Sequence, residues 1–174
     1  MSDPQMIALV GLSGVGKSSV GRRLAARLGW PLLDTDALIA ETEGRTVAQI
    51  FADSGEPCFR DLESAALEHA LAISPGVVST GGGIVLRPQN RALLHARAFV
   101  VWLDAPTETL VARLRAHDEA RPLIGGDDPA ARLEALRVAR AGLYAEVAHA
   151  HVHTADREFD QICAQVLQLV AGFN

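Results

Sequence analysis

The sequence predicts an α/β protein in which helices cover both faces of a parallel β-sheet. Short apolar runs alternate along the chain with longer segments of helical periodicity. Several of these runs, such as 7–10 and 99–103, are hydrophobic at consecutive positions, which is typical of strands buried on both faces. Parallel strands require long crossover connections, and the helical segments between the runs supply them.

The individual elements follow from periodicity and from helix-stop residues. Segment 17–28 predicts the first helix, because its apolar side chains recur every four residues and Gly29 supplies a stop. The other elements are separated by polar positions, glycine or proline. The predicted strands are 7–10, 30–33, 77–79, 99–103 and 151–153, and the predicted helices are 17–28, 37–42, 47–51, 60–72, 89–96, 107–116, 130–147 and 159–171.

The composition predicts a single globular domain over residues 1–174, with 49% hydrophobic and 21% charged residues. A net charge of −5 argues against general binding to nucleic acid or to anionic membranes. Cys58 and Cys163 form no disulfide or metal pattern. No segment is typical of a signal peptide or a membrane helix, so we expect a cytoplasmic protein, and we expect it to be a monomer.

A phosphate-binding loop is predicted at residues 11–18, GLSGVGKS, which satisfy the motif G-x-x-x-x-G-K-[ST]. The loop follows the first strand and opens the first helix, where backbone N–H groups and the helix N-terminus attract phosphate. Lys17 is the only lysine among 16 basic residues. The alternative, a glycine-rich strand–helix turn that binds nothing, explains neither the four fixed positions nor this lone lysine.

Two carboxylates, Asp34 and Asp36, follow the second predicted strand. In an extended chain, residues i and i+2 project to the same side, so both would face the crevice beyond the strand ends. Mg²⁺ beside the phosphates would offset their repulsion, and the second carboxylate would then be available to take a proton from an acceptor hydroxyl. The alternative is that one of the two caps the helix that follows.

Arg60 lies beside an aromatic residue at the start of a predicted helix, with Glu63 three residues on. An arginine in this position is suited to a bidentate grip on a carboxylate, and Glu63 would hold the guanidinium in place. The alternative is a solvated Arg–Glu pair on a helix surface, which the spacing alone favours.

Three further arginines and the histidines also have both functional and structural interpretations. Arg121 lies in a polar loop, from which it would reach transferred phosphate; the alternative is an exposed loop arginine. Arg137 and Arg140 are spaced as on a solvated helix face. The six histidines show no metal-ligand spacing, and we interpret His151 and His153 as structural or surface residues.

Together these pieces resemble the shikimate kinase family, whose members are small kinases with a P-loop and a fold like that of the nucleoside monophosphate kinases. The resemblance covers nearly the whole chain. Its later motifs are more specific than the phosphate-binding loop. All the segments that carry the resemblance, the loop included, are residues 11–18, 34–36, 50–52, 55–56, 59–60 with Glu63, 79–83, 121–123 and 140–144.

The resemblance implies a three-layer fold whose five parallel strands are ordered 2-3-1-4-5. It also implies a mobile lid at about 113–128 and a substrate-binding helical segment at about 36–63. The glycines at 81–83 stand where most P-loop enzymes have an aspartate, which favours this family over generic P-loop ATPases.

The resemblance further implies Mg²⁺-dependent transfer of the ATP γ-phosphoryl group to the 3-hydroxyl of shikimate. Catalysis would rest on Lys17, Asp36 and Arg121, and Mg²⁺ would be held by Ser18 and Asp34. The implied nucleotide-binding residues are Gly14, Val15, Gly16, Lys17, Ser18, Ser19, Arg121 and Arg157.

The implied shikimate-binding residues include two arginines that grip the substrate carboxylate, Arg60 and Arg140. The aromatic side chains of Phe51 and Phe59 would pack against the shikimate ring. The full set is Asp36, Phe59, Arg60, Glu63, Gly82, Gly83 and Arg140. Two other hypotheses stay open at this point: another small-molecule kinase of the same fold, such as a gluconate or nucleotide kinase, and a nucleotide-binding regulator without turnover.

Overall fold

A computed structural model of the protein describes residues 4–116 and 128–173. These residues form one five-stranded sheet in the order β2-β3-β1-β4-β5, and all four neighbouring pairs are parallel, as predicted. The strands are β1 (Met6–Val10), β2 (Leu32–Asp34), β3 (Gly76–Ser79), β4 (Phe99–Asp104) and β5 (Ala150–His153).

Helices connect successive strands and cover both faces of the sheet. They are α1 (Lys17–Leu28), α2 (Thr35–Glu43), α3 (Val47–Leu71), α4 (Pro88–Arg97), α5 (Thr107–Ala116), α6 (Pro129–Val147) and α7 (Phe159–Ala171), with a 3₁₀ turn at Ile84–Leu86. The connection through α1 runs one way along the sheet and the connection through α4 runs the other. Because crossovers are right-handed, α1 and α4 lie on opposite faces. Helix α7 packs against α1, and α6 packs against α4.

The predicted helices at 17–28, 107–116 and 159–171 are confirmed at both ends. The largest differences lie around β2 and α3. The second strand begins at Leu32 rather than at residue 30 and ends at Asp34, and α2 begins at once with Thr35. The helices predicted at 47–51 and 60–72 are joined into α3, which is kinked at Gly55 (φ 79°) just before Pro57.

The main core lies between the sheet and its helices, and β1 is buried along its whole length. A second, smaller cluster holds α2 against α3 and consists of Ile39, Ile50 and Phe59 with partly buried neighbours. The segment 36–63 therefore has an apolar core of its own beside the main one. Within the described ranges, no helix is both long enough and apolar enough to cross a membrane.

Gly142 lies inside α6, although it interrupts the helix with the least favourable non-proline residue. A Cβ atom at this position would meet no atom within 4 Å. We therefore expect Gly142→Ala to raise the free energy of unfolding by roughly 0.5–1 kcal/mol, measured by urea denaturation.

A control with the opposite sign is Gly16→Ala. Gly16 has a φ of +103°, and its Cβ would lie 2.7 Å from Cε1 of Phe159. This variant should lose stability. A Gly142→Ala protein that unfolds at lower urea than the parent would contradict the prediction.

Candidate active site

The predicted phosphate-binding loop joins β1 to α1 in the structure. Gly16 precedes the helix in the left-handed conformation and, as a glycine, has no side chain with which to cap the first turn of α1. The Lys17 side chain is only 8% exposed, and its Nζ donates to the carbonyls of Gly11 (2.7 Å) and Leu12 (2.8 Å). The single lysine is thus held against the backbone of the loop itself.

The loop is supported by residues that the sequence analysis did not assign. The guanidinium of Arg113 on α5 donates to the carbonyl of Val15 (3.1 Å) and to the hydroxyl (3.0 Å) and carbonyl (2.7 Å) of Thr154. Burial lowers the pKa of Arg113. The ring of Phe159 at the start of α7 packs beside Gly16. These contacts join segments over 40 residues apart, so no local pattern could have indicated them.

Ser18, the residue after Lys17, belongs to a cluster of side-chain oxygen atoms with Asp34 and Ser79. The Ser18 hydroxyl donates to Oδ2 of Asp34 (2.9 Å) and lies 3.3 Å from the Ser79 hydroxyl at the end of β3. Oδ1 of Asp34 accepts from the backbone N–H groups of Asp36 (3.1 Å) and Ala37 (3.2 Å). The helix-cap alternative therefore holds for Asp34, yet its other oxygen still faces Ser18. Hydroxyl and carboxylate oxygens fit Mg²⁺, so these residues are suited to the predicted metal.

Asp36 does not follow the geometry that the sequence analysis assumed. It lies in the first turn of α2 rather than in an extended chain, because Asp34 caps that helix, so the argument from i and i+2 in a strand was wrong. The two carboxylates still lie at the same end of the sheet, where Asp34 joins the oxygen cluster. Asp36 lines a separate pocket.

The pocket opens beside the phosphate-binding loop. Four regions of the chain meet there: the loop at Leu12 and Ser13, the helical segment α2–α3, the turn after β3, and helix α6. The rings of Phe51 and Phe59 lie 4.5 Å apart on one wall. The full lining is Leu12, Ser13, Asp36, Val47, Phe51, Phe59, Arg60, Glu63, Gly81, Gly82, Gly83, Leu133, Leu136 and Arg140.

Arg60 and Glu63 form a buried ion pair, so the solvated-pair interpretation was wrong. The side chains are 8% and 1% exposed, and Nη1 of Arg60 donates to Oε2 of Glu63 at 2.8 Å. Glu56, beyond the kink at Gly55, accepts from Nη2 and Nε of the same guanidinium. Burial raises the pKa of Glu63, although Arg60 opposes the shift. Burial by itself lowers the pKa of Arg60, but the two glutamates outweigh it and the pKa is raised.

The glycine turn after β3 is packed tightly between polar side chains. A Cβ on Gly81 would lie 2.7 Å from Oε1 of Glu63 and 2.8 Å from Oδ1 of Asp36. A Cβ on Gly83 would lie 2.1 Å from Nη1 of Arg60. Any side chain at these two positions would therefore displace the charged groups that line the pocket.

Two hydrogen bonds fix this turn, and the sequence analysis assigned neither. The Gly81 N–H donates to the buried Thr35 hydroxyl (3.0 Å), and the Tyr144 hydroxyl donates to the Gly82 carbonyl (2.5 Å). Burial raises the pKa of Tyr144 to about 12, so its phenol keeps its proton at neutral pH. Tyr144 belongs to the motif at 140–144 and lies one helical turn after Arg140 on α6. This spacing could have indicated that both side chains lie on the same face of the helix.

Arg140 is buried in the pocket, 6% exposed, whereas Arg137 on the preceding turn of α6 is 36% exposed. The solvated-face interpretation is therefore wrong for Arg140. Of the residues predicted near the nucleotide, Arg121 lies outside the described residues. Arg157 lies between β5 and α7, where it donates to the His153 carbonyl (3.4 Å) and to Oε1 of Gln165. In the predicted lid, residues 113–116 are the last turn of α5, and 117–127 lie outside the described residues.

The sheet order, the phosphate-binding loop at the end of β1 and the adjoining pocket with arginines and carboxylates define a P-loop kinase of small molecules. A sequence profile described as "Shikimate kinase" matches residues 13–171. A shikimate kinase from Symbiobacterium thermophilum is 47% identical over 163 residues, which cover 93% of this chain and 94% of that one. The chain belongs to the shikimate kinase family, and it is an enzyme that phosphorylates shikimate with ATP.

Solved structures agree with this assignment. A shikimate kinase from Acinetobacter baumannii in complex with shikimate matches with a TM-score of 0.93 and 36% identity, over 97% of this chain and 94% of that one. A gluconokinase from Sinorhizobium meliloti matches with a TM-score of 0.63 and 22% identity, over 99% and 94% of the two chains. The second likeness is one of fold alone, and it does not support the gluconate kinase alternative.

Because Gly83 leaves room for Arg60, we expect Gly83→Ala to lower kcat/KM for shikimate by about 100-fold through displacement of the guanidinium. The KM for ATP should change little, since the phosphate-binding loop is untouched. Steady-state kinetics with each substrate varied in turn will measure both effects. Gly142→Ala, which adds the same methyl group in open space, is the matched control. An unchanged kcat/KM for shikimate in Gly83→Ala would contradict the packing argument.

Proposed function

We propose that this chain transfers the γ-phosphoryl group of Mg·ATP to the 3-hydroxyl of shikimate at the pocket beside the phosphate-binding loop. The observation that carries the site assignment is the burial of Arg60 and Arg140 in the same pocket as the Asp36 carboxylate. Two guanidinium groups suit a substrate carboxylate, and a carboxylate beside them suits ring hydroxyls. The aromatic wall of Phe51 and Phe59 suits the carbon ring.

The phosphate-binding loop supplies positive charge where the transferred group lies. Phosphoryl transfer passes through a loose transition state, so positioning and charge neutralisation matter more than strong base catalysis. We assign Lys17 and the N-terminus of α1 to the phosphates, with the backbone of residues 14–19 around them. Lys17 Nζ donates to the carbonyls of Gly11 and Leu12. When ATP binds, its phosphate oxygens would replace these carbonyls as the partners of the ammonium group.

Asp36 is assigned to the acceptor hydroxyl, from which it would take the proton as the phosphoryl group arrives. Ser18 and Asp34 are assigned to Mg²⁺, which neutralises phosphate charge when bound. Glu63 and Glu56 hold the Arg60 guanidinium in place, and Tyr144 holds the carbonyl of Gly82, so we assign them to the positioning of the acceptor site. Arg121 in the lid and Arg157 are assigned to the nucleotide.

We also propose that the protein acts as a cytoplasmic monomer without nucleic-acid or membrane partners. The net charge of −5 supports this proposal, because an acidic surface repels polyanions.

The direct test of this function is ADP release from Mg·ATP with and without shikimate, and with gluconate as a second acceptor. We expect ADP release to depend on shikimate, with little release in its absence or with gluconate. Binding of ATP without shikimate-dependent turnover would instead favour a nucleotide-binding regulator. Removal of Mg²⁺ with EDTA should abolish turnover, because phosphate charge is then not neutralised.

The roles of Arg60 and Lys17 are separable by kinetics. Arg60→Ala would leave the Glu63 carboxylate buried without its partner, at a cost of about 3–5 kcal/mol in stability, so the informative variant is Arg60→Lys. It keeps the charge and loses the bidentate geometry. We expect a KM for shikimate raised by about tenfold or more with a smaller change in kcat, since a carboxylate remote from the reacting hydroxyl is gripped similarly throughout the reaction.

Lys17→Ala should instead lower kcat by about 100-fold or more, because it removes charge that stabilises the transition state. The matched control for Arg60→Lys is Arg87→Lys. Arg87 pairs with exposed Asp61 (2.7 Å) and is not among the residues that line the pocket. An unchanged KM for shikimate in Arg60→Lys would rule out the carboxylate grip.

A further inference from the structure

Asp104, His151 and His153 converge at one edge of the sheet. Strands β4 and β5 are parallel neighbours in which Trp102 is paired with His151 and Asp104 with His153. Alternate residues of a strand project to the same face, so all four side chains share one face of this strand pair. One ligand atom from each of Asp104, His151 and His153 lies within 4.8 Å of the other two.

The side chains of this cluster are held in place by their neighbours. The His151 ring is stacked on Trp102, with centroids 4.0 Å apart and planes 8° from parallel. Its Nε2 atom lies 3.6 Å from Oδ2 of Asp104, while the other oxygen, Oδ1, lies 3.8 Å from Nε of Arg137 on α6. The Asp104 side chain is 13% exposed and that of His151 is 39% exposed. The potential ligand atoms of Asp104 and His151 are therefore accessible to an ion from solvent.

We propose that Asp104, His151 and His153 form a binding site for a divalent transition-metal ion of the zinc class. Two imidazoles and one carboxylate are a donor set that Zn²⁺ accepts, with a water in the fourth position. In a tetrahedral zinc site, donor atoms lie roughly 3.3 Å apart, so small side-chain rotations would close this cluster around an ion. Mg²⁺ fits poorly, since it prefers oxygen ligands alone.

This site is separate from the oxygen cluster of Ser18 and Asp34. Asp34 ends β2 at one edge of the sheet, and the histidines lie on β5 at the other, with β3, β1 and β4 between them. The sequence shows no metal-ligand spacing at these residues because Asp104 is 47 residues from His151. Only the pairing of β4 with β5 brings the three residues together. An ion here would fasten the edge strand β5 to β4.

The test uses the full chain without an affinity tag, stripped of metal and held in excess Mg²⁺ without nucleotide. Calorimetric titration with ZnCl₂ should give one saturable site per chain. His151→Ala, His153→Ala and Asp104→Asn should each weaken it by more than about tenfold. His69→Ala, which removes an exposed histidine at the end of α3, is the matched control and should bind as the parent does.

A second readout reports on the location of the ion. Co²⁺ held by a nitrogen and oxygen set should give visible absorption bands and should quench the fluorescence of Trp102, because the His151 ring is stacked on that indole. Trp102→Phe should lose the quenching and keep the absorption. All variants should retain shikimate-dependent ADP release with Mg·ATP, which shows that they are folded. Absence of a saturable site, or undiminished binding in His153→Ala, would overturn the proposal.

Discussion

Asp36, Glu63 and Arg60 approach the backbone of the Gly81–Gly83 turn so closely that a side chain on that turn would displace them. Helices α2 and α3 can therefore place charged side chains directly against the backbone of this turn. Thr35 holds one end of it, through the Gly81 N–H, and Tyr144 holds the Gly82 carbonyl. The shape of the pocket depends on this lack of side chains.

Charged side chains of both signs line the pocket of this acidic protein. Glu63 and Glu56 both contact the Arg60 guanidinium, and the pocket also contains Arg140 and Asp36. Isolated buried charges are costly, whereas hydrogen-bonded pairs are tolerated and keep a fixed geometry. The two glutamates thus fix the orientation of the Arg60 guanidinium in the pocket. The kink at Gly55 contributes, since it lets Glu56 reach Arg60 from the start of the next helical segment.

The elements with strong local signals were predictable, and those shaped by distant contacts were less so. Helix 17–28 has a regular apolar stripe and a glycine stop, and both of its ends were predicted. The region around Asp34 was predicted less well, because this one residue ends a strand, caps α2 and faces Ser18. Strand alternation alone predicts an extended chain at Asp36, which lies in the first turn of α2, although it predicts the correct end of the sheet for this residue.

The sequence by itself determined the fold class, the phosphate-binding loop and the family, because these rest on short patterns whose residues are adjacent in the chain. Only the tertiary structure decided which arginines are buried. Arg60 and Arg140 have the helical spacing of solvated residues, yet they line a pocket formed by the loop, α2–α3, the glycine turn and α6. The tertiary structure likewise decided that Arg113 donates to the Val15 carbonyl and that Asp104 lies beside His151. Burial and electrostatic pairing depend on distances between segments far apart in the chain, and local periodicity carries no information about those distances.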